Sequence, residues 1–265
     1  MNLGRATAPL VLAVGMAATP AMAATTTLDF EEFVHGEIIT ISKGVVISTT
    51  NGGAGPDLVI AFDSRETGTS DIDLEDPFDP PRGAVVPGIS APPTAPDGNI
   101  RPGNIAIVQE NTTGCGDGIC NDPDDEGSGP NVMMFDWGPN FANGVELVEL
   151  DIYDLDQTDA DPGQPAETLD IELIYTDGTS DTASFSGDDF GDRAAGRIDL
   201  SAFFGRTTGV SKANLDFSHG GAVSNITFKP PNGGSIPEPG SMGLLLTGLL
   251  GLEWARRRRA ARKAV

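Results

Sequence analysis

The sequence predicts an all-β protein, an antiparallel β-sandwich of the jelly-roll type. Apolar and polar residues alternate through residues 169–175, which is typical of a strand with one buried face. The 265 residues include 34 glycines and 20 prolines, residue types that favour turns and interrupt helices. Between residues 24 and 234, apolar residues do not recur at the spacing of a long amphipathic helix. Many short strands separated by turns therefore indicate two packed antiparallel sheets.

The individual strands follow from this alternation and from the turn residues between them. Asp177-Gly178 readily supplies the positive φ of a tight turn, so residues 169–175 and 179–185 are expected to form a hairpin. Residues 202–206 are expected to form one helical turn with Ser201 as its N-cap. Further strands are predicted at residues 27–33, 37–41, 45–50, 58–63, 104–110, 132–137, 145–154, 213–217 and 223–229.

Two long irregular segments interrupt the predicted strands. Residues 64–103 are rich in proline, and residues 111–131 contain both cysteines and an acidic cluster. Loops of this length are usually functional or ordered by an ion when they are not disordered. For the proline-rich segment, the alternative is a flexible surface excursion.

Acidic residues are concentrated in three segments, residues 71–76, 122–126 and 151–161. Oxygen-rich loops suit Ca²⁺, which takes about six to eight oxygen ligands in flexible geometry. None of the three segments matches an EF-hand, because residues 154–159 begin with Asp-x-Asp but lack the loop glycine and the closing glutamate. The alternative is a set of solvated acidic loops adapted to salt or solubility. The candidate ligands in these loops are Asp124, Asp125, Glu126, Asp154 and Asp156.

The two cysteines, Cys115 and Cys120, are expected to form a small loop disulfide. Four residues separate them, two of which are glycines, so the chain can bend to bring the sulfurs together. A loop this short removes little chain entropy, and the bond would therefore shape the loop more than it stabilises the fold. Metal ligation by this pair is the weaker alternative, since the sequence holds no second cysteine pair.

The sequence does not predict an enzyme. It contains no Gly-x-Ser-x-Gly elbow, no His-Glu-x-x-His motif and no phosphate-binding glycine loop. With so many acidic residues, some carboxylate pair meets any spacing by chance, so glycoside hydrolysis is the least favoured alternative. Trp137 is the candidate ligand-binding aromatic, because it ends a predicted strand and precedes Gly138. A buried position in the core is the alternative for this side chain.

The N-terminus has the features of a secretory signal peptide at residues 1–23. Arg5 precedes an apolar stretch, Pro20 breaks it, and residues 21–23 supply small side chains for signal peptidase. Residues 24–234 then form the ectodomain. Seven of the 16 basic and two of the 39 acidic residues lie in the terminal segments, which leaves 9 basic and 37 acidic residues and a net charge near −28. This charge argues against nucleic acid and anionic lipid as partners, and it favours divalent cations, solubility at high salt, or both.

The C-terminal segment combines three features in order. The sequence Pro237-Glu238-Pro239 is followed by an apolar run at residues 242–252. A helix over residues 240–255 would rise about 24 Å, somewhat less than a bilayer core of about 30 Å. The basic residues after it place that end of the chain in the cytoplasm and everything upstream outside. These basic residues begin with Arg256, Arg257, Arg258 and Arg259.

This order of features resembles the PEP-CTERM sorting signal of Gram-negative bacteria, here at residues 235–265. The resemblance implies that a membrane transpeptidase, exosortase, recognises residues 237–239 and cuts nearby. It also implies export across the inner membrane and a transient membrane anchor. After cutting, the ectodomain would lie in the cell envelope or outside the cell, associated with exopolysaccharide.

In overall pattern the ectodomain also resembles the calcium-binding jelly rolls that bind carbohydrate. The pattern lies in an entry strand, Leu28-Asp29-Phe30-Glu31, and a late strand, Leu215-Asp216-Phe217. The resemblance implies that Ca²⁺ pins loops or strand ends, and it adds Glu31 and Asp216 as candidate ligands if their strands are neighbours. Two hypotheses follow, a non-catalytic surface or matrix protein and a calcium-dependent carbohydrate-binding module.

Overall fold

The computed structural model describes residues 24–53, 55–81, 86–111, 114–125, 129–155, 165–191 and 193–231. All its strand pairs are antiparallel, and the prediction of an all-β protein is confirmed. The strands are β1 (Thr26–Leu28), β2 (Ile41–Ser42), β3 (Val45–Asn51), β4 (Val59–Asp63), β5 (Ile89–Ser90), β6 (Asn104–Val108), β7 (Cys115–Gly116), β8 (Ile119–Cys120), β9 (Asn131–Asp136), β10 (Glu146–Tyr153), β11 (Thr168–Tyr175), β12 (Ser180–Ser186), β13 (Ala195–Asp199), β14 (Val210–Phe217) and β15 (Ala222–Lys229).

Two sheets contain almost all of these strands. The first sheet has seven strands in the order β4-β6-β15-β10-β13-β5, with β1 also paired to β15. The second has six in the order β12-β11-β14-β9-β3-β2. One apolar cluster takes side chains from both sheets, such as Ile152 and Phe228 from the first and Leu169 and Leu173 from the second. This shared core is consistent with the predicted β-sandwich, whereas the jelly-roll resemblance stays a prediction.

A second core lies against the first sheet and is covered by the two long irregular segments. Leu74, Phe78 and Ile100 from the proline-rich segment are buried in one cluster with strand residues of the first sheet. Cys120 of the β7–β8 hairpin also belongs to this cluster. We call residues 64–81, 86–103 and 114–125 the loop layer. Because it contributes buried side chains, the described part of the proline-rich segment is not a flexible surface excursion.

Most predicted strands are found, and four were missed. The hairpin of β11 and β12 has Gly178 at φ +83°, as the Asp-Gly turn predicted. The missed strands are β5 and β13, at the far edge of the first sheet, and β7 and β8, which form the disulfide hairpin. The helical turn is a 3₁₀ turn at Leu200–Ala202, and its N-cap is Asp199, whose carboxylate accepts from the Ser201 amide. The prediction of Ser201 as the cap was therefore wrong by two residues.

No helix within the described ranges is long and apolar enough to cross a membrane. The predicted signal peptide at residues 1–23 and the predicted membrane helix at residues 240–255 lie outside those ranges.

Candidate metal centre

Three aspartates, one from each acidic segment of the sequence, come together at one end of the first sheet. They are Asp71, Asp125 and Asp154, and each offers a carboxylate oxygen within 4.8 Å of the other two. Asp71 and Asp125 are 54 positions apart in the sequence, so only the tertiary fold brings them together. The cluster joins both long irregular segments to the end of a central strand.

Two neighbouring strands of the first sheet place two of these side chains. Asp154 directly follows β10, adopts a left-handed backbone conformation at φ +56°, and donates its amide to the Ala194 carbonyl at 3.1 Å. Gly221, directly before β15, donates its amide to Asp125 Oδ2 at 2.7 Å. Because Tyr153 and Ala222 are paired across β10 and β15, both carboxylates lie at the same end of the sheet.

Two glycines precede β15 where the Asp125 loop and the Phe217 ring approach the backbone closely. A Cβ atom at Gly220 would lie 3.0 Å from the Asp125 carbonyl oxygen. At Gly221 the backbone has φ +136°, and a Cβ would lie 2.6 Å from the Phe217 ring. The two glycines therefore let the Asp125 carboxylate reach a backbone amide at the sheet end.

The loop layer supplies the third carboxylate and contacts the second. Asp71 Oδ2 accepts from the Asp125 amide at 3.3 Å, and Asp71 Oδ1 accepts from the Leu74 amide at 3.3 Å. Thr69 Oγ1 donates to the Asp71 carbonyl at 2.7 Å, which holds this turn of the loop in shape. The two carboxylate-bearing loops are therefore connected through the cluster itself.

The segment that leads to Asp125 is held by a buried glutamine. Gln109, which is fully buried, donates its side-chain amide to the Asp122 carbonyl and accepts from the Asp124 amide. The Glu110 amide donates to the Asp124 carbonyl at 2.8 Å. These bonds fix the backbone on both sides of Asp124, and the position of Asp125 follows from them.

Burial makes the cluster electrostatically costly. Asp71 is 0% exposed and Asp125 is 2% exposed. Within the described ranges, no lysine or arginine forms an ion pair with either carboxylate. Burial raises the pKa of Asp125 well above its usual range, and the charge and hydrogen bond of Asp71 and the charge of Asp154 raise it further. The hydrogen bond from the Gly221 amide lowers this pKa in part. The cluster therefore favours either a proton or a bound cation.

The donor set fits a hard divalent cation. Carboxylate oxygens are the ligands that Ca²⁺ and Mg²⁺ prefer, and three carboxylates from three loops suit the flexible geometry of Ca²⁺ better than the strict octahedron of Mg²⁺. Asp71 and Asp125 already accept backbone hydrogen bonds, so the three carboxylates alone do not complete the coordination of a cation. The remaining ligands would be carbonyl oxygens or water. A cation here would neutralise the buried charge and connect the loop layer to the first sheet.

The other predicted ligands are placed elsewhere. The Asp124 carboxylate is not a member of the cluster, although its backbone helps to position Asp125. Glu31 accepts from the Asn104 amide at 3.0 Å and pairs with Arg65 at 3.3 Å. Asp216 lies on β14 in the second sheet, opposite Asp170, whereas Glu31 contacts the start of β6 in the first sheet. The condition for a pairing of Glu31 with Asp216, that their strands are neighbours, is not met.

Two of the three clustered carboxylates were named from the sequence as candidate ligands, and the third was not. Asp125 and Asp154 were candidates, whereas Asp71 was noted only as part of an acidic segment. Its signal was the run of acids at residues 71–76, but nothing in that run distinguishes the buried residue from its neighbours. Glu126 and Asp156 lie outside the described residues, as do the sorting residues 237–239 and the basic residues 256–259.

Trp137 cannot serve as an exposed sugar platform. It is 0% exposed and lies in the core between the sheets, with its ring 5.9 Å from that of Phe228 and 6.2 Å from that of Phe135. The ligand-binding prediction for this residue was wrong, and the alternative of a core position holds. Trp137 continues the alternation of buried residues in β9, and burial of its large apolar ring stabilises the core.

Cys115 and Cys120 are joined by a disulfide, as the sequence predicted. They pair across the β7–β8 hairpin, and the Cys120 amide donates to the Gly36 carbonyl at 2.8 Å. The Ile38 amide donates to the Gly118 carbonyl at 2.9 Å. The hairpin is therefore attached to the chain around residues 36–38, and it directly precedes the segment that Gln109 holds.

The comparison with known protein families gives a match in the tail. Residues 235–259 match the PEP-CTERM protein-sorting motif, as the sequence resemblance predicted. The match indicates a protein that is exported, processed by an exosortase and sorted to the cell envelope or surface. Neither a curated protein nor a solved structure matches the chain.

Proposed function

We propose that this chain is a non-catalytic surface or exopolysaccharide-associated protein, delivered by exosortase cleavage at its PEP-CTERM tail. The observation that carries the proposal is the match of residues 235–259 to the sorting motif. The acidic β-sandwich is then the cargo and exosortase the enzyme that acts on it. Signal peptidase would remove residues 1–23 during export.

Changing the two prolines of the motif tests this proposal. Proline fixes φ and lacks an amide donor, so Pro237 and Pro239 keep the recognition segment extended. In full-length protein, Pro237→Ala with Pro239→Ala should leave export intact, while an uncleaved, membrane-held form accumulates. The ratio of uncleaved to cleaved protein in fractionated cells measures this directly.

The matched control is Pro230→Ala with Pro231→Ala, which changes two prolines just before the motif. That variant should be processed like the parent. If the variant in residues 237 and 239 is also processed like the parent, the sorting proposal fails.

A calcium-dependent ectodomain is the second part of the proposal. It is supported by the clustering of Asp71, Asp125 and Asp154, of which Asp71 and Asp125 are buried without a basic partner among the described residues. A bound Ca²⁺ would act as a structural ion that holds the loop layer on the first sheet. Carbohydrate recognition gains no comparable support, because Trp137 lies in the core.

A further inference from the structure

Strand β15 runs from the candidate metal centre to the end of the sandwich from which the C-terminal tail leaves. Its first residue follows Gly221, whose amide binds Asp125 in the candidate metal centre. Its last residue is Lys229, and the matched sorting motif begins shortly afterwards, at Ser235. Eight strand residues span roughly 26 Å. The chain therefore leaves the domain at the end opposite the candidate metal centre, and we call this the tail end.

The tail end is built from neighbouring strand ends and turns of both sheets. Lys229 pairs in register with Glu146, the first residue of β10. The Leu147 amide donates to the Thr207 carbonyl at 2.9 Å, which brings in the loop before β14. The Asn140 side chain donates to the Gly44 carbonyl at 2.7 Å, which brings in the turn between β2 and β3.

Basic residues are concentrated at the tail end, and each is paired. The described chain has eight lysines and arginines, and four of them, including all three of its lysines, lie here. Because every one has an acidic partner, these four pairs add no net charge to this surface, in a domain of strongly negative charge. The pairs are Lys43–Asp29 at 2.6 Å, Arg206–Asp177 at 2.7 Å, Lys212–Asp136 at 2.9 Å and Lys229–Glu146 at 2.8 Å.

The opposite end is acidic. Besides the candidate metal centre, it presents Glu110, whose carboxylate accepts from Asn131 at the start of β9. Asp122 accepts from Ser70 and Asn111 in the loop that leads to Asp125. Asp57 accepts from the Asn51 amide at the end of β3. The negative charge of the sandwich is thus displaced away from the point where the tail begins.

We propose that the tail end is the surface that the ectodomain turns toward an anionic lipid surface while the sorting segment is still held in the membrane. This inference rests on the proposed sorting function. From Lys229 to Pro237 the chain can span at most about 28 Å, so the domain stays close to the membrane before cleavage. Acidic side chains within the Debye length of about 8 Å are repelled by anionic headgroups, and the basic residues at this end offset the repulsion of their four acidic partners.

Charge reversal at the tail end tests the proposal in the full-length chain. Lys212→Glu with Lys229→Glu changes two side chains that are 50% and 40% exposed, so the fold should persist. In vesicles of phosphatidylcholine and phosphatidylglycerol that also contain exosortase, cleavage of this variant should be slower by roughly threefold or more. In vesicles of phosphatidylcholine alone, the variant and the parent should be cleaved at the same rate.

Two matched controls separate membrane approach from other effects. Arg101→Glu with Arg193→Glu makes the same change in net charge within or beside the loop layer and should leave cleavage unchanged. A flexible Gly-Ser insertion of about twelve residues after Asn232 should restore cleavage of the tail-end variant, because it lets the domain stand about 20 Å farther from the lipid. Melting temperatures of all variants confirm that they are folded.

Three outcomes would overturn the inference: cleavage of the tail-end variant at the parental rate, equal slowing of the loop-layer variant, or slowing that persists in neutral vesicles. Each of these differs from failure of the proposed function itself. If sorting does not depend on the motif, the variant with alanine at residues 237 and 239 is cleaved like the parent, whatever the charge variants do.

Discussion

At the residue scale, Asp125 carries the argument for a cation. The residue is 2% exposed, and its carboxylate accepts from the Gly221 amide and lies beside two other carboxylates. One backbone amide does not compensate a buried negative charge that faces like charges, so the ionised form is disfavoured without a counter-ion. A proton or a divalent cation can supply the missing positive charge, and the two make opposite predictions for a neutral substitution.

Asp125→Asn should change stability in opposite directions with and without calcium. Burial raises the pKa of Asp125, so in chelator the folded state binds more protons than the unfolded state above pH 3.8. The parent should therefore lose stability relative to the variant as the pH rises from about 4 toward 7. With saturating calcium, the variant should be less stable by about 1–3 kcal/mol, because a charged ligand is lost.

Urea unfolding at several pH values, with calcium and with chelator, measures this reversal. Asp124→Asn is the matched control, since its carboxylate lies outside the cluster and the substitution keeps the backbone bonds that help to position Asp125. The control should behave like the parent in both conditions. If Asp125→Asn also behaves like the parent in calcium, Asp125 is not a ligand.

The three clustered aspartates show which parts of the candidate site could be predicted from the sequence. Asp125 and Asp154 were identifiable, because both lie in acid-rich loops beside predicted strands. Asp71 was not distinguishable from Asp73, since burial of one loop acid and exposure of another depend on tertiary packing. The same limit applies to Trp137, whose position at a strand end fits both a binding platform and the core.

At the scale of elements, the sequence predicted the strands and turns whose structure depends on neighbouring residues in the chain. The β11–β12 hairpin follows from seven alternating residues and an Asp-Gly turn, and its register is that of a tight hairpin. Strand β13 escaped prediction because Ala195 and Gly196 have weak strand propensity. Its place in the sheet comes from pairing with β10 and from the packing of a ring over its backbone.

Gly196→Ala tests that packing. A Cβ atom at Gly196 would collide with the ring of Phe190, which is fully buried, so the ring would have to move within the core. Overpacking of this kind should lower the free energy of unfolding by about 1–3 kcal/mol. Thermal or urea unfolding of the purified ectodomain measures the loss.

Gly205→Ala is the matched control, because a Cβ atom there would meet nothing within 4 Å. Its free energy of unfolding should stay within about 0.5 kcal/mol of the parent. Equal effects of the two substitutions would mean that Gly196 is not constrained by Phe190.

At the scale of the whole molecule, the second core depends on a layer with little regular structure. The loop layer packs Leu74, Phe78 and Ile100 against the first sheet, yet its described strands are all two-residue segments. Its attachment near the sheet end runs through Asp71 and Asp125, where negative charges meet. The sequence predicted the acidity and the irregularity of this region, but not its packing, because hydrophobic residues spaced irregularly between prolines show no periodicity.

Removing divalent cations should therefore release the loop layer before the sandwich unfolds. Without a cation, the clustered carboxylates repel one another, and the layer loses its connection to the sheet end. With chelator, the ectodomain should melt at a lower temperature, and a protease should cleave first within residues 64–103. Added calcium at about 100 times its Kd should contribute about 2.7 kcal/mol, provided that it binds only the native state. Sodium chloride at matched ionic strength is the decisive control, since it screens the charge of the whole domain without occupying a site. If sodium restores the melting temperature and the protease resistance as fully as calcium does, general screening explains the effect, and the three aspartates do not form a specific metal site.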